Sequence, residues 1–342
     1  MKKVRVEEAI GMILAHDITE IIPGKKKEVA FPRGKRIERE DVSKLLDLGK
    51  ANVYVMDNKN EGVHEDEATV RIAKALMDEN MEYLPPREGR VQILSKVDGI
   101  FCVDKKGLLK VNMVENVLFS SLPDKYPVRK GDLVAACRIV PLYIKEKSLK
   151  KIENLGRKKI IRVFPYRKAK VGLVVTGSEI YNGRIEDGSV IIENKIREMG
   201  SEIVGKKLAT DDVIMIRDFI LELFDQGADI VVTTGGLSVD PDDVTKEGIE
   251  ATGARVLFYG APIFPGAMFL LAVYDEKYIL GAPACVYYNK YTIFDIIFGR
   301  ILSGEDMRNI GKKEVASFSY GGLCLSCKVC HYPVCFFGKG LR

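Results

Sequence analysis

No apolar run in this 342-residue chain reaches the roughly 18 residues that a membrane-spanning helix needs, so none is expected. The opening Met1-Lys2-Lys3-Val4-Arg5 leads into a mixed, charged segment and not into the apolar core of a secretory leader, and the chain reads as cytoplasmic. Histidine is scarce, at three residues. His16 lies in a strand-like segment that suits packing, and His64 reads as a solvated cap at the start of a helix, so neither is assigned chemistry. No helix-turn-helix or RNA-binding signature is found, which argues against nucleic acid as the partner. What the chain does hold is core material. Hydrophobic residues make up 46% and charged residues 30%, the balance of a globular protein and not of a disordered one.

Charge is divided unevenly. Residues 1–170 hold 36 Lys and Arg against 25 Asp and Glu, and residues 171–342 hold 17 against 23. The basic residues are mostly scattered through amphipathic segments, apart from Lys25-Lys26-Lys27 and Arg157-Lys158-Lys159. Such a half suits a phosphorylated small ligand or an acidic partner.

Residues 1–60 read as a mixed α/β segment, with a strand and turn over 29–34, a helix over 39–48 stopped by Gly49, and a strand over 52–56. Residues 61–167 read as a β-rich middle domain with one helix. That helix covers 65–81, with Ala68, Ile72, Ala75 and Leu76 as its inner stripe, and Pro85-Pro86 follows it. Runs at 92–94, 99–103, 108–111 and 133–144 predict short strands. Beyond Ala169 the pattern becomes regular. Strands over 171–175, 203–207, 229–233, 256–259, 269–273 and 278–280 are interleaved with helices over 190–199, 213–226, 244–252 and 287–301. This predicts an α/β domain over 168–310, with a parallel sheet in three layers. Ligands bind such sheets at the C-terminal ends of the strands. Residues 311–342 are a cysteine-rich tail entered through Gly321-Gly322.

Two loops fall at that edge. Thr233-Thr234-Gly235-Gly236-Leu237-Ser238 follows a buried strand, and paired glycines let backbone approach a ligand and aim N–H groups at an anion. Asp240, Asp242 and Asp243 come next. They suit either the positive end of a helix or a magnesium ion bridging to phosphate. The other loop is Thr176-Gly177-Ser178-Glu179, in which Glu179 is a candidate acid/base. Asp211-Asp212 lies at a third loop, as a helix cap or a ligand contact. Three acidic loops on one edge strengthen the case for a site.

In their order and spacing, Thr176-Gly177-Ser178-Glu179, Asp211-Asp212, Thr234-Gly235-Gly236 and the acid-rich turn resemble the molybdopterin-binding domain of molybdenum cofactor biosynthesis. Residues 169–302, about 40% of the chain, carry the likeness. Gly235 through Asp243 resembles molybdopterin molybdotransferases, and Pro241 with Asp243-Val244-Thr245 resembles molybdopterin adenylyltransferases. The Gly-Gly-Leu and Pro-Asp-Asp-Val-Thr pattern, with Gly183-Arg184-Ile185 and Asp187, also resembles competence-damage proteins, which are linked to nucleotide pyrophosphate hydrolysis. The segment Val6 to Ile18 is similar to the opening of molybdotransferases, whereas residues 61–165 match them poorly.

The resemblance implies a pocket for molybdopterin or its adenylylated form, with Thr176, Gly177, Ser178, Asp211, Thr234, Gly235, Gly236, Ser238, Pro265 and Gly266 as contacts. It implies Glu179 and Asp243 as catalytic residues and Asp240, Asp242 and Asp243 as ligands of Mg2+. A non-catalytic carrier or sensor is the alternative. A molybdoenzyme or another cofactor-biosynthesis protein is the implied partner, and relatives with this domain form homo-oligomers. Three departures are visible. Molybdotransferases carry Pro-Gly-Lys-Pro where this chain has Pro265-Gly266-Ala267-Met268, and Gly-Leu-Pro-Gly-Asn-Pro where it has Gly281-Ala282-Pro283-Ala284-Cys285-Val286. Ser178 stands where they usually have Asp.

Seven cysteines are present. Cys102, Cys137 and Cys285 sit singly in apolar surroundings and read as buried thiols. Cys324, Cys327, Cys330 and Cys335 crowd the tail, with His331 among them. Consecutive two-residue spacings resemble iron–sulfur ligation, whereas zinc more often takes separated pairs. An iron–sulfur cluster, Zn2+ and a metal-free redox set all remain open on spacing.

Overall fold

The computed structural model describes residues 2–56, 62–87, 89–140 and 142–339. The chain divides into two compact units: Met1–Leu94 with Asp104–Ser121 and Leu133–Ile161, and Ser95–Val103 with Leu122–Asp132 and Arg162–Arg342.

In the first unit, strand Lys2–Arg5 pairs antiparallel with Asn52–Val55, and Ile18–Ile22 forms a hairpin with Lys26–Phe31. Between them lies a small core that includes Leu14, Ile18, Phe31, Ile37 and Leu45. A four-stranded sheet follows, ordered Met81–Tyr83, Arg90–Ser95, Leu133–Ile139, Val117–Ser121. Helix Glu65–Leu76 buries Ala68, Thr69, Ile72, Ala73 and Leu76, the expected stripe with Ala73 in place of Ala75. Its Arg71 forks onto Glu146 and Glu153 at 2.8 and 2.9 Å. The helix stops short of residue 81 because Met77 is extended and the Asp78 carboxylate takes the Asn80 N–H at 3.1 Å.

Two readings of this unit need correction. Residues 108–111 are not a strand but part of helix Lys105–Asn112, because the Asp104 side chain accepts from the Lys106 and Gly107 N–H groups and caps it. The lysine-rich stretch around residue 150 is helix Glu146–Leu155, whose signal, Leu149 and Ile152 on one face, was diluted by the surrounding lysines.

His64 does cap its helix, accepting from the Asp66 N–H at 3.2 Å, but it is buried and not solvated. Next to it, Glu65 is only 7% exposed. Gly89 lies so close that a Cβ there would come within 1.9 Å of the Glu65 carboxylate. Burial, reinforced by the neighbouring Asp66 charge, pushes the Glu65 carboxyl up to about 7. The folded state therefore holds this proton more tightly than the unfolded chain. The contribution is full at acidic pH, below the ordinary carboxyl range, and is lost as pH rises through about 7. Glu65→Gln removes the buried charge and is expected to raise stability by about 2 kcal/mol at pH 8 and by little at pH 4. Urea melts at the two pH values check this, and an equal effect at both would contradict it.

In the second unit a six-stranded sheet runs Glu202–Ala209, Lys170–Thr176, Ile230–Thr234, Lys277–Ala282, Leu270–Tyr274, Arg255–Tyr259. The first four strands are parallel, as the alternation predicts. Leu270–Tyr274 runs against both of its neighbours. The cause is local. Asp275 and Glu276, with φ of 43° and 66°, make a two-residue hairpin turn into the next strand, too short for a crossover. Helices Val190–Glu198 and Ile293–Leu302 pack on one face of the sheet, through Ile192, Ile196, Phe294 and Phe298. Helices Val213–Asp225 and Thr245–Ala251 cover the other, through Ile216, Ile220, Leu223 and Ile249. This is the expected three-layer arrangement.

The helix expected over 287–301 begins at Ile293, because Thr292 and Asp295 form a capping box there. A short 3-10 turn, Ala284–Tyr287, precedes it. Lys195 anchors the intervening loop. Its ammonium meets both Asp295 carboxylate oxygens at 3.0 Å and donates to the carbonyls of Asn289 and Lys290 at 3.3 and 2.6 Å.

The tail packs onto this unit. Phe318 and Phe337 are buried, and Tyr332 lies 4.2 Å from Tyr291, centroid to centroid. The Phe264 N–H donates to the Gly322 carbonyl at 2.7 Å, and the Cys324 N–H donates to the Phe264 carbonyl at 2.8 Å. No described helix is long and apolar enough to cross a membrane.

Candidate functional site

The C-terminal ends of Lys170–Thr176 and Ile230–Thr234 meet in a pinned turn. Thr176 Oγ1 lies 2.9 Å from Thr245 Oγ1 and donates to the Thr234 carbonyl at 3.3 Å. The Thr245 N–H donates to the Gly236 carbonyl at 3.1 Å. Gly235 and Gly236 have φ of +98° and +57°, and both are crowded. A Cβ on Gly235 would lie 2.3 Å from the Thr176 carbonyl oxygen, and one on Gly236 would lie 2.4 Å from Thr245 Oγ1. Glycine is thus required here by backbone conformation and by space together.

The neighbouring loops are held by carboxylates. The Asp211 carboxylate accepts from the Ser178 N–H at 2.9 Å. Asp212 caps helix Val213–Asp225, accepting from the Met215 N–H at 2.7 Å. The pair thus divides between loop tie and cap. Gly177 turns the chain out of its strand and donates to the Ala209 carbonyl at 3.1 Å. Glu179 is exposed on the short turn of helix Ser178–Tyr181.

In the acid-rich loop, one Asp243 oxygen accepts from the Ser238 N–H at 2.8 Å, while Asp240 and Asp242 are exposed. These acids precede helix Thr245–Ala251 and do not open it. Tyr259 holds the same loop, its hydroxyl donating to the Leu237 carbonyl at 3.0 Å. Pro265 and Gly266 pack against the start of helix Ile293–Leu302, where a Cβ on Gly266 would lie 2.5 Å from Ile293 Cγ2.

Tyr287 went unread in the sequence. Its phenol lies 2.9 Å from Thr234 Oγ1, beside the glycine turn, and burial pushes it up to about 12. It was read only as the start of a helix over 287–301, and its aromatic ring just after the Gly281 to Val286 stretch was the available signal.

Neither metal expectation fits the donors. Among the described residues no three His, Cys, Asp or Glu side chains gather into a group able to hold an ion. Asp240, Asp242 and Asp243 form no cage, since Asp243 is drawn back onto its own loop. The tail thiols form none because the tail is spread over the core. Cys324 and Cys335 pack against it, and Cys327 is exposed. Of the three single cysteines, Cys137 is fully buried and pushed up to about 12 by burial, while Cys102 and Cys285 are half-buried.

Residues 172–302 match the family model described as "Probable molybdopterin binding domain", and residues 3–57 match "Domain of unknown function (DUF8806)". Residues 172–302 belong to the molybdopterin-binding domain family. A molybdopterin molybdenumtransferase of Haemophilus influenzae is 25% identical over 296 residues, covering 81% of this chain and 66% of that protein. A CinA-like protein of Mycobacterium avium is 34% identical over 96 residues, covering 28% of this chain and 22% of that protein. The chain thus spans less than two thirds of either relative. A solved molybdopterin biosynthesis moea protein from Pyrococcus horikosii shares 17% identity over 90% of this chain and 76% of that one, at a TM-score of 0.34. The site described above lies at the strand ends of this molybdopterin-binding domain.

Proposed function

We propose that the chain binds molybdopterin or its adenylylated form at this edge and acts in molybdenum cofactor biosynthesis as a molybdotransferase-like protein. The observation that carries the reading is the Gly235-Gly236 turn at the C-terminal ends of the parallel strands, the edge at which sheets of this class bind ligands. Thr176, Gly177, Ser178, Asp211, Thr234 and Ser238 shape the pocket around it. Glu179, whose carbonyl closes its turn by accepting from the Arg184 N–H while its side chain is exposed, is the proton acceptor for an attacking water. Asp243 orders the Ser238 backbone beside the same turn. Release of AMP breaks one pyrophosphate P–O bond, with water supplying oxygen to phosphorus and its proton passing to Glu179, and the substrate molybdate joins both dithiolene sulfurs as one of its oxygens leaves as water with the thiol protons. No step is routed through a resident metal.

The test is AMP release from adenylylated molybdopterin, with and without magnesium and molybdate. Molybdate-dependent release is expected, falling on the order of 100-fold in Asp243→Ala. Tight binding without release would instead establish a carrier or sensor. An unchanged rate in Asp243→Ala would remove that residue from the site. A second reading, a nucleotide pyrophosphatase, is favoured by the 34% identity over 96 residues to the CinA-like protein. Hydrolysis of ADP-ribose in preference to the pterin would select it.

A further inference from the structure

We propose that Tyr287 is a ligand-contacting residue, a neutral hydrogen-bond donor to a phosphoryl oxygen bound at the glycine turn. The inference deepens the functional reading above and rests on it. The strand Lys277–Ala282 ends at the same edge as Thr234, and the turn Ala284–Tyr287 brings the phenol back onto the central strand. The ring also packs by Gly188, where a Cβ would lie 3.7 Å from it, so Tyr287 bridges the loop after Gly177 and the turn after Thr234.

Hydrogen-bond accounting sets the direction of its proton. Thr234 is fully buried, and its hydroxyl lies 2.9 Å from the phenol oxygen. If Tyr287 donated to Thr234, the threonine proton would be left buried without an acceptor, a costly arrangement. Thr234 therefore donates and the phenol oxygen accepts. The phenol proton is then left over, on a half-buried side chain next to Gly235. Burial keeps that proton in place throughout the physiological range. An oxygen of a phosphate or pyrophosphate, rich in lone pairs and carrying no proton to offer, is the complementary partner.

Adenylylated molybdopterin and ADP-ribose, which share a pyrophosphate, are titrated into the wild-type chain and Tyr287→Phe, with a thermal melt of each. The expected result is binding of the pterin by wild type and an affinity roughly 10-fold or more lower in the variant, from loss of one hydrogen bond to a charged group. Equal pterin affinities overturn the inference and leave the functional reading standing. Binding of ADP-ribose alone, again weakened by the substitution, overturns the pterin reading and upholds the inference. Binding of neither overturns both. Should Tyr287→Phe fail to fold, fluorine magnetic resonance of the wild-type chain carrying fluorotyrosine decides. A shift of the Tyr287 signal on ligand binding supports the contact, and an unshifted signal overturns it.

Discussion

Lys195→Met is expected to destabilise the second unit by about 3–5 kcal/mol, the cost of leaving one member of a buried ion pair without its partner. Both members are buried, and Asp295 would lose its ammonium partner while keeping the Thr292 N–H and hydroxyl. The substitution also releases the Asn289 and Lys290 carbonyls. Asp295→Leu in the same chain recovers only part of the loss, because Asp295 also accepts from the Thr292 N–H at 2.6 Å and caps helix Ile293–Leu302. Urea denaturation of the single and double variants measures this, and a single-variant loss below about 1 kcal/mol would show the pair to be dispensable.

Gly235→Ala is the second large effect, and Gly227→Ala is its control. Both glycines have similar backbone conformations, with φ of +98° and +92°, but a Cβ at Gly227 meets open space. The control should therefore show only the conformational cost, about 1 kcal/mol. At Gly235 the new Cβ collides with the Thr176 carbonyl, so two adjacent strand ends must separate. A loss of about 3 kcal/mol is expected, together with the hydrogen bonds that pin the turn and any ligand binding there. Melting and pterin titration of both variants provide the comparison. Equal effects would mean that conformation alone, and not close approach, calls for glycine at Gly235.

Much of the molybdopterin-binding domain was legible from local pattern. Parallel strands buried on both faces are continuous apolar runs, and Val171–Val175 and Ile230–Val232 show this directly, with helices stopped by Gly200, Gly227 and Gly253. The first unit was harder to read. Lysines dilute the apolar face of helix Glu146–Leu155, and a single cap at Asp104 turned an apolar run from strand to helix. At the site, Gly235 and Gly236 are crowded by Thr176 and Thr245, so their glycines answer to the chain's own packing as well as to the ligand contact expected of them. The assignment of the acids to a metal did not account for backbone N–H groups competing for them, as Ser238 does for Asp243 and Ser178 for Asp211.

Periodicity, glycine stops and the order of the loops were sufficient to place a three-layer sheet and the edge where the candidate loops fall, because these depend on neighbours a few residues apart. That Asp211 is spent on the Ser178 backbone, that the tail packs on the core, and what the Tyr287 phenol meets all depend on contacts across long separations. Thr234 meets Tyr287 across 53 residues, and Lys195 meets Asp295 across 100. Short spacing allows the tail cysteines to gather, but Cys324 and Cys335 pack onto the apolar core while Cys327 is exposed, and among the described residues no three candidate ligands form a group.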